Sequence, residues 1–226
     1  MKKYLFIFIF VFVSPISVIN AQSVDLLSHG NTYTPPFYKG ATLWSNQSEI
    51  NFVAIPQGLG SSANLNYRWT RNGTVLGEVS GLGRSSLSFF DTVFSKPQTV
   101  GVEIVSSTGD ELASAIVTVV PISPRILIYE NSPLYGILFH REVGREYQIR
   151  EGELTLEAIP LFFTTDRKRD GLVSYEWKAS GTEINRNASA TYRAPSDAVG
   201  SSLVEIEIVS GSFIMQNASR NLRLEY

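Results

Sequence analysis

Leu65-Asn66-Tyr67-Arg68-Trp69-Thr70-Arg71-Asn72-Gly73 alternates apolar and polar residues up to a turn dipeptide, and the pattern returns as Val173-Ser174-Tyr175-Glu176-Trp177-Lys178-Ala179-Ser180-Gly181. A period of two belongs to a strand with one buried face, so Tyr67, Trp69, Tyr175 and Trp177 are expected in a core. Asn72-Gly73 and Ser180-Gly181 accept the positive φ of a tight turn, which predicts a hairpin or sharp corner after each strand. The chain reads as two copies of one unit.

Working outward, Ile50, Phe52 and Ala54 alternate in Glu49–Pro56, as Leu154, Leu156 and Ala158 do in Glu153–Pro160, and both runs end in Ala-Ile-Pro. The loop that follows is four residues longer in the second copy, from Pro160 to Tyr175 against Pro56 to Tyr67. Later come Ser86–Phe89 and Ser189–Tyr192, then the β-branched runs Val100–Ser106 and Val204–Ser210, then Ala115–Val119 and Leu222–Tyr226. β-branched, alternating runs favour strands. No window holds a helical period, and turn residues recur every 8–12 residues or so, the mark of a sandwich of about seven strands. Ahead of this, Val24–Leu27 reads as a first strand, and Thr34-Pro35-Pro36 as extended chain outside any central sheet. Pro121-Ile122-Ser123-Pro124 is a short, stiff link between the copies.

At the N-terminus Lys2 and Lys3 precede the apolar run Tyr4–Val13, the breaker Ser14-Pro15, and Ala21 before Gln22. This is the layout of a signal peptide cleaved after Ala21, the run being too short for a spanning helix. The expected divisions are a signal peptide at 1–21, one β-sandwich at 22–121 and another at 122–226. The expected location is exported, whether periplasmic, cell-surface or extracellular, with membrane attachment only through an uncleaved signal segment. Hydrophobic content of 43% against 18% charge indicates globular domains. Without residues 1–21 the chain carries 17 basic and 21 acidic residues, a net charge of −4, which excludes a nucleic-acid binder. Cysteine is absent, so an exported chain relies on core packing alone.

The Tyr-x-Trp strands, the Asn-Gly and Ser-Gly turns and the later Glu-Ile-Val-Ser runs resemble tandem immunoglobulin-like or PKD-like β-sandwich domains of bacterial surface and exported proteins. The resemblance implies adhesion, spacing or recognition and identifies no ligand. The expectation is a non-enzymatic module at the cell envelope, with a protein or envelope polysaccharide as partner and no cofactor. Its rival is an accessory domain or small hydrolase acting on envelope polysaccharide. A hydrolase of the common kind needs paired carboxylates on one cleft, and no such pair is readable.

Candidate chemistry is sparse. His29 and His140 fall at unrelated positions and read as loop histidines, and zinc lacks its usual ligands. Asp110-Glu111, and Asp166 with Asp170, are candidate calcium carboxylates, but the second pair brackets Arg167-Lys168-Arg169 and both read as solvated loops. Gly81-Leu82-Gly83 lacks the spacing of a phosphate loop. Asn46, Asn72, Asn187 and Asn217 each open an Asn-x-Ser/Thr tripeptide, which matters only where the source glycosylates Asn. Two surfaces remain as candidates. Tyr38 and Trp44, in a cluster with Tyr33 and Phe37, form either an exposed aromatic platform or a cover for a sheet edge. Arg167, Lys168 and Arg169 form either a solvated loop or a contact for an anionic polymer or acidic partner.

Overall fold

A computed structural model describes residues 22–150, 152–169, 171–194 and 199–226. The expected signal peptide lies outside them. The described residues contain no α-helix, only strands and two short 3-10 turns, and none of their helices is long and apolar enough to cross a membrane.

The first half contains β1 (Ser23–Gly30), β2 (Glu49–Gln57), β3 (Asn66–Arg71), β4 (Thr74–Val75), β5 (Gly81–Leu82), β6 (Ser86–Phe90), β7 (Gln98–Val105) and β8 (Glu111–Val119). One sheet has the order β1-β2-β6 and the other β4-β3-β7-β8, with β5 also on β3. The second half contains β9 (Arg125–Ser132), β10 (Gly136–Glu142), β11 (Glu146–Gln148), β12 (Glu153–Leu161), β13 (Val173–Ala179), β14 (Thr182–Asn185), β15 (Ser189–Arg193), β16 (Ser201–Ser210) and β17 (Asn217–Glu225). Its sheets run β10-β9-β12-β15 and β11-β17-β16-β13-β14. Each half is an immunoglobulin-type sandwich of two mainly antiparallel sheets around its own hydrophobic cluster.

The repeated stretch does the same work in both cores. Trp69 lies opposite Val102 and Tyr67 opposite Ile104, as Trp177 lies opposite Ile206 and Tyr175 opposite Ile208. All four rings are buried. A buried indole or phenol needs a partner for its polar tip. Each indole N–H donates to a backbone carbonyl just ahead of β6 or β15, Trp69 to Arg84 at 2.7 Å and Trp177 to Asn187 at 2.9 Å. Each tyrosine hydroxyl donates to a carbonyl of the preceding loop, Tyr67 to Ser62 and Tyr175 to Lys168. Asn72 and Gly73 sit at φ +50° and +80°, Ser180 and Gly181 at +48° and +82°, the paired positive values of a type I′ hairpin.

The halves differ between their first two long strands. Residues 133–150 form β10 and β11 on their own sandwich, where β11 adds in parallel to β17. Residues 31–48 have only a one-residue counterpart of that pairing, Ser45 with Ile122; Trp44 turns into its own core, while Tyr33, Phe37, Tyr38, Asn46 and Gln47 reach across to the second sandwich. There the Tyr33 N–H donates to the Phe163 carbonyl at 2.7 Å, and the Phe162 N–H returns to the Tyr33 carbonyl at 2.8 Å. The Phe37 ring packs on Tyr129 and Phe139, Tyr38 edge-on to Phe162, and Phe90 against Phe213. Gln216, fully buried, joins both sides: its Nε2 donates to the Asn46 carbonyl at 2.8 Å and to Thr164 Oγ1 at 2.8 Å, while its Oε1 accepts the Thr164 N–H at 2.7 Å. The Met215 N–H donates to Gln47 Oε1 at 2.8 Å. This seam leaves the Gln216 amide satisfied, so its burial carries no orphaned polar atom.

Candidate functional site

The two surfaces suggested by sequence change character once folded. Trp44 is no surface residue: it is 3% exposed in the first core, and its Nε1 donates to the Ser48 carbonyl at 3.2 Å. The main-chain bonds of Trp44 and Asn46 to Ile122 hold it there, inside the sandwich mouth. Tyr38 is half-buried against Phe162 in the seam. The aromatic cluster therefore serves docking of the two sandwiches and is not an open platform.

Two of the loop cations, Lys168 and Arg169, are engaged. Glu157 points from β12 away from the core, yet its side chain is buried, with Lys168 Nζ at 2.5 Å and Arg169 Nη2 at 3.1 Å. A carboxylate taken out of water requires such pairing. Lys168 and Arg169 neutralise this internal charge, while Arg167 and Arg169 keep exposed side chains at the loop surface. Thr165 is buried beside them, and its hydroxyl donates to the Arg167 carbonyl at 2.8 Å. Burial raises the Tyr33 hydroxyl above its ordinary value, with the Glu157 charge adding to the effect.

The two histidines are exposed on strands β1 and β10, not in loops. Asp110 accepts from the Thr108 hydroxyl at 2.6 Å and closes the β7–β8 turn. Asp170, the partner of Asp166 in the other calcium candidate, lies outside the described residues. Among the described residues no three His, Cys, Asp or Glu side chains are grouped to hold a metal ion. Gly81-Leu82 is β5, a short strand beside β3.

A site the sequence did not announce lies on the second sandwich. The β9–β10 hairpin overhangs a groove of about 390 Å³ that continues past β11 to the start of β12. At its tip Leu134 and Tyr135 are more than three-quarters exposed, and their N–H groups both donate to Ser132 Oγ, at 3.3 and 3.4 Å. Gly136 follows at φ +70°, a conformation that costs glycine nothing. Ser132-Pro133 with Gly136 between two alternating runs was the available signal for this hairpin.

Inside the groove Tyr147 is half-buried and its hydroxyl donates to the Glu130 carboxylate. Burial raises the Tyr147 hydroxyl first, and its bond to Glu130 and that residue's charge raise it further; Arg141 and Arg150 pull it down. The Arg141 guanidinium lies 5.5 Å from the Tyr147 ring centre, within cation–π range. The second acid, Glu153, accepts from Arg193 Nε at 2.6 Å. Both groove carboxylates thus have partners, whereas Arg141 and Arg150 make no ion pair among the described residues. A larger depression, of about 650 Å³, lies along β17. Its Arg220 is committed to the Glu142 carboxylate and to the Ile126 and Val143 carbonyls.

No protein-family model and no curated protein matches the chain. Among solved structures it is similar to three N-terminal domains of the Highly Immunogenic Outer Capsid protein of bacteriophage RB49, at 14% identity and a TM-score of 0.45; the match covers 91% of this chain and 59% of that one. It is also similar to fibronectin(III)-like modules of Clostridium thermocellum CbhA, at 10% identity, 88% and 93% coverage and a TM-score of 0.29. A third likeness is to Bacteroides ovatus SGBP-B, solved with a mixed-linkage heptasaccharide, at 11% identity, 87% and 47% coverage and a TM-score of 0.26. The sheet order and the two cores define the fold.

Proposed function

We propose that the chain is an exported, non-enzymatic recognition or spacer module, in which a cleaved leader at 1–21 precedes two domains, 22–121 and 122–226, that face a protein or polysaccharide of the cell envelope. The seam carries this reading. Ordering the backbone of a residue costs about 1–2 kcal/mol, and a flexible tether avoids that cost for Tyr33–Gln47 and Phe162–Thr165. Backbone pairing, ring contacts and Gln216 offset the cost and give two sandwiches with a set relation, which suits a part that holds a surface at a fixed distance and angle. The rival hydrolase reading needs two available carboxylates, and Glu130 and Glu153 are both engaged.

The chain has no cysteine, so Cys residues placed at exposed Ser114 and Ser174 are the only labelling sites. Spin labels there should give one narrow distance distribution, and Gln216→Ala should broaden it. A broad distribution in the unmutated protein would overturn the rigid unit. Export is tested separately: the envelope or secreted fraction should contain a chain beginning at Gln22, and one that keeps Lys2 and Lys3 would contradict cleavage.

A further inference from the structure

We infer that the groove under the β9–β10 hairpin binds an acidic saccharide, a sugar ring bearing a carboxylate. Tyr135 supplies the stacking face, and Arg141 and Arg150 supply the carboxylate donors. The inference rests on reading the chain as a recognition module and adds the site and the ligand class.

Charge comes first. The groove is lined by two acids and two arginines, but Glu130 is held by the Tyr147 hydroxyl and Glu153 by Arg193, so the groups left to meet a ligand are the guanidiniums. Planar guanidinium matches a carboxylate in a fork of two hydrogen bonds. Shape comes second. The volume lies within the range of about 300–1,000 Å³ typical of small-molecule sites, and an exposed tyrosine at a fixed tip offers a flat apolar face to the C–H side of a sugar ring. Ser132 Oγ accepts both tip N–H groups, so the backbone that carries Tyr135 is held in its turn before a ligand arrives. An acidic peptide would satisfy the charges but is less well served by the backbone. Adding a peptide strand needs a regular free edge, and β10 pairs with β9 at Gly136 and Ile137 and then only at Glu142, with an irregularity between. A bulged edge is a poor template.

The test is titration of the full chain from Gln22 with tri-galacturonate, the neutral galactose trimer and hexaglutamate. Tri-galacturonate should bind, more weakly as salt rises, and the neutral trimer should bind at least about tenfold more weakly. Tyr135→Ala and the double variant Arg141→Met/Arg150→Met should each lose about tenfold or more without moving the thermal midpoint, because these side chains are exposed. Tyr135→Phe, which keeps the ring, should retain binding. Equal binding of the neutral trimer, hexaglutamate binding as tight as tri-galacturonate, or no tri-galacturonate binding at millimolar concentration would each overturn the inference. A negative titration leaves the spin-label and export results as they are, so failure of the groove is distinguishable from failure of the module.

Discussion

Gly58 and Phe162 stand at the same corner, two residues beyond the shared Ala-Ile-Pro, and both adopt left-handed φ, +70° and +65°. After Gly58 the chain is exposed as far as Asn64 apart from half-buried Leu59. After Phe162 it dives inward, with Phe162, Phe163 and Thr165 buried. The backbone shape is common to the two copies, and glycine adopts it freely. Phenylalanine adopts it at about 1–3 kcal/mol and only where its surroundings hold it. Those surroundings are the first sandwich: the Tyr33 carbonyl accepts the Phe162 N–H, and Tyr38 packs edge-on against the ring. The longer second loop thus docks on the first sandwich, whereas the shorter first loop, among the described residues, bonds only within its own. Gln47, on the opposite side of the seam, also sits at a left-handed φ of +54°.

The largest expected effects are those of the two core tryptophans. Trp69→Ala or Trp177→Ala should cost its sandwich about 3–5 kcal/mol, a large part of the roughly 5–15 that hold a domain together. Because the docking loop belongs to the second sandwich, Trp177→Ala should also lower hydrogen-exchange protection of the Tyr33 amide. A Tyr33 amide that stays protected in that variant would break the comparison.

Next come the loop cations. Lys168→Met/Arg169→Met leaves Glu157 buried without a partner, which costs about 3–5 kcal/mol, and adding Glu157→Gln should recover most of the loss in urea denaturation. The first loop carries no charged residue between Gly58 and Leu65, so nothing there behaves alike. An unchanged midpoint in the double variant would show that these cations do not hold Glu157.

The corner itself gives a smaller pair of effects with different causes. Phe162→Gly should forfeit about 3–5 kcal/mol of packing, offset by roughly 1–3 from relieved strain. Gly58→Ala should cost about 1–2 kcal/mol from strain alone. A Phe162→Gly variant more stable than the unmutated protein would show that docking does not hold Phe162.

The smallest effect is alkaline. Tyr33, Tyr67, Tyr129 and Tyr147 all have hydroxyls raised above their ordinary value of 10.0, chiefly by burial. A group whose folded value is raised contributes stability that is complete below the unfolded value and lost as pH rises through the folded one. The thermal midpoint should therefore fall above about pH 10. The fall should be shallower in Tyr33→Phe, since Tyr33 spans the seam beside Glu157. An identical profile in that variant would remove Tyr33 from the account.

Period, turn chemistry and repetition were enough to define the sandwiches. Ile50, Phe52, Ala54, Tyr67 and Trp69 alternate with polar neighbours, and whichever partner arrives, alternation along a strand selects the face that is buried. Asn72-Gly73 and Ser180-Gly181 act within their own turns, so their geometry needed no distant contact. Trp44 and the Arg167-Lys168-Arg169 run were beyond that logic. The aromatic cluster could be read as a platform or as a cover for a sheet edge, and which of these it is depended on Ile122 and on the second sandwich. Glu157 occupies a polar position in its strand's alternation, which says only that it faces away from its own core. Whether water or another part of the chain covers that outer face is decided by segments distant in sequence, because burial of a charge is set by what packs against it and not by its neighbours along the strand.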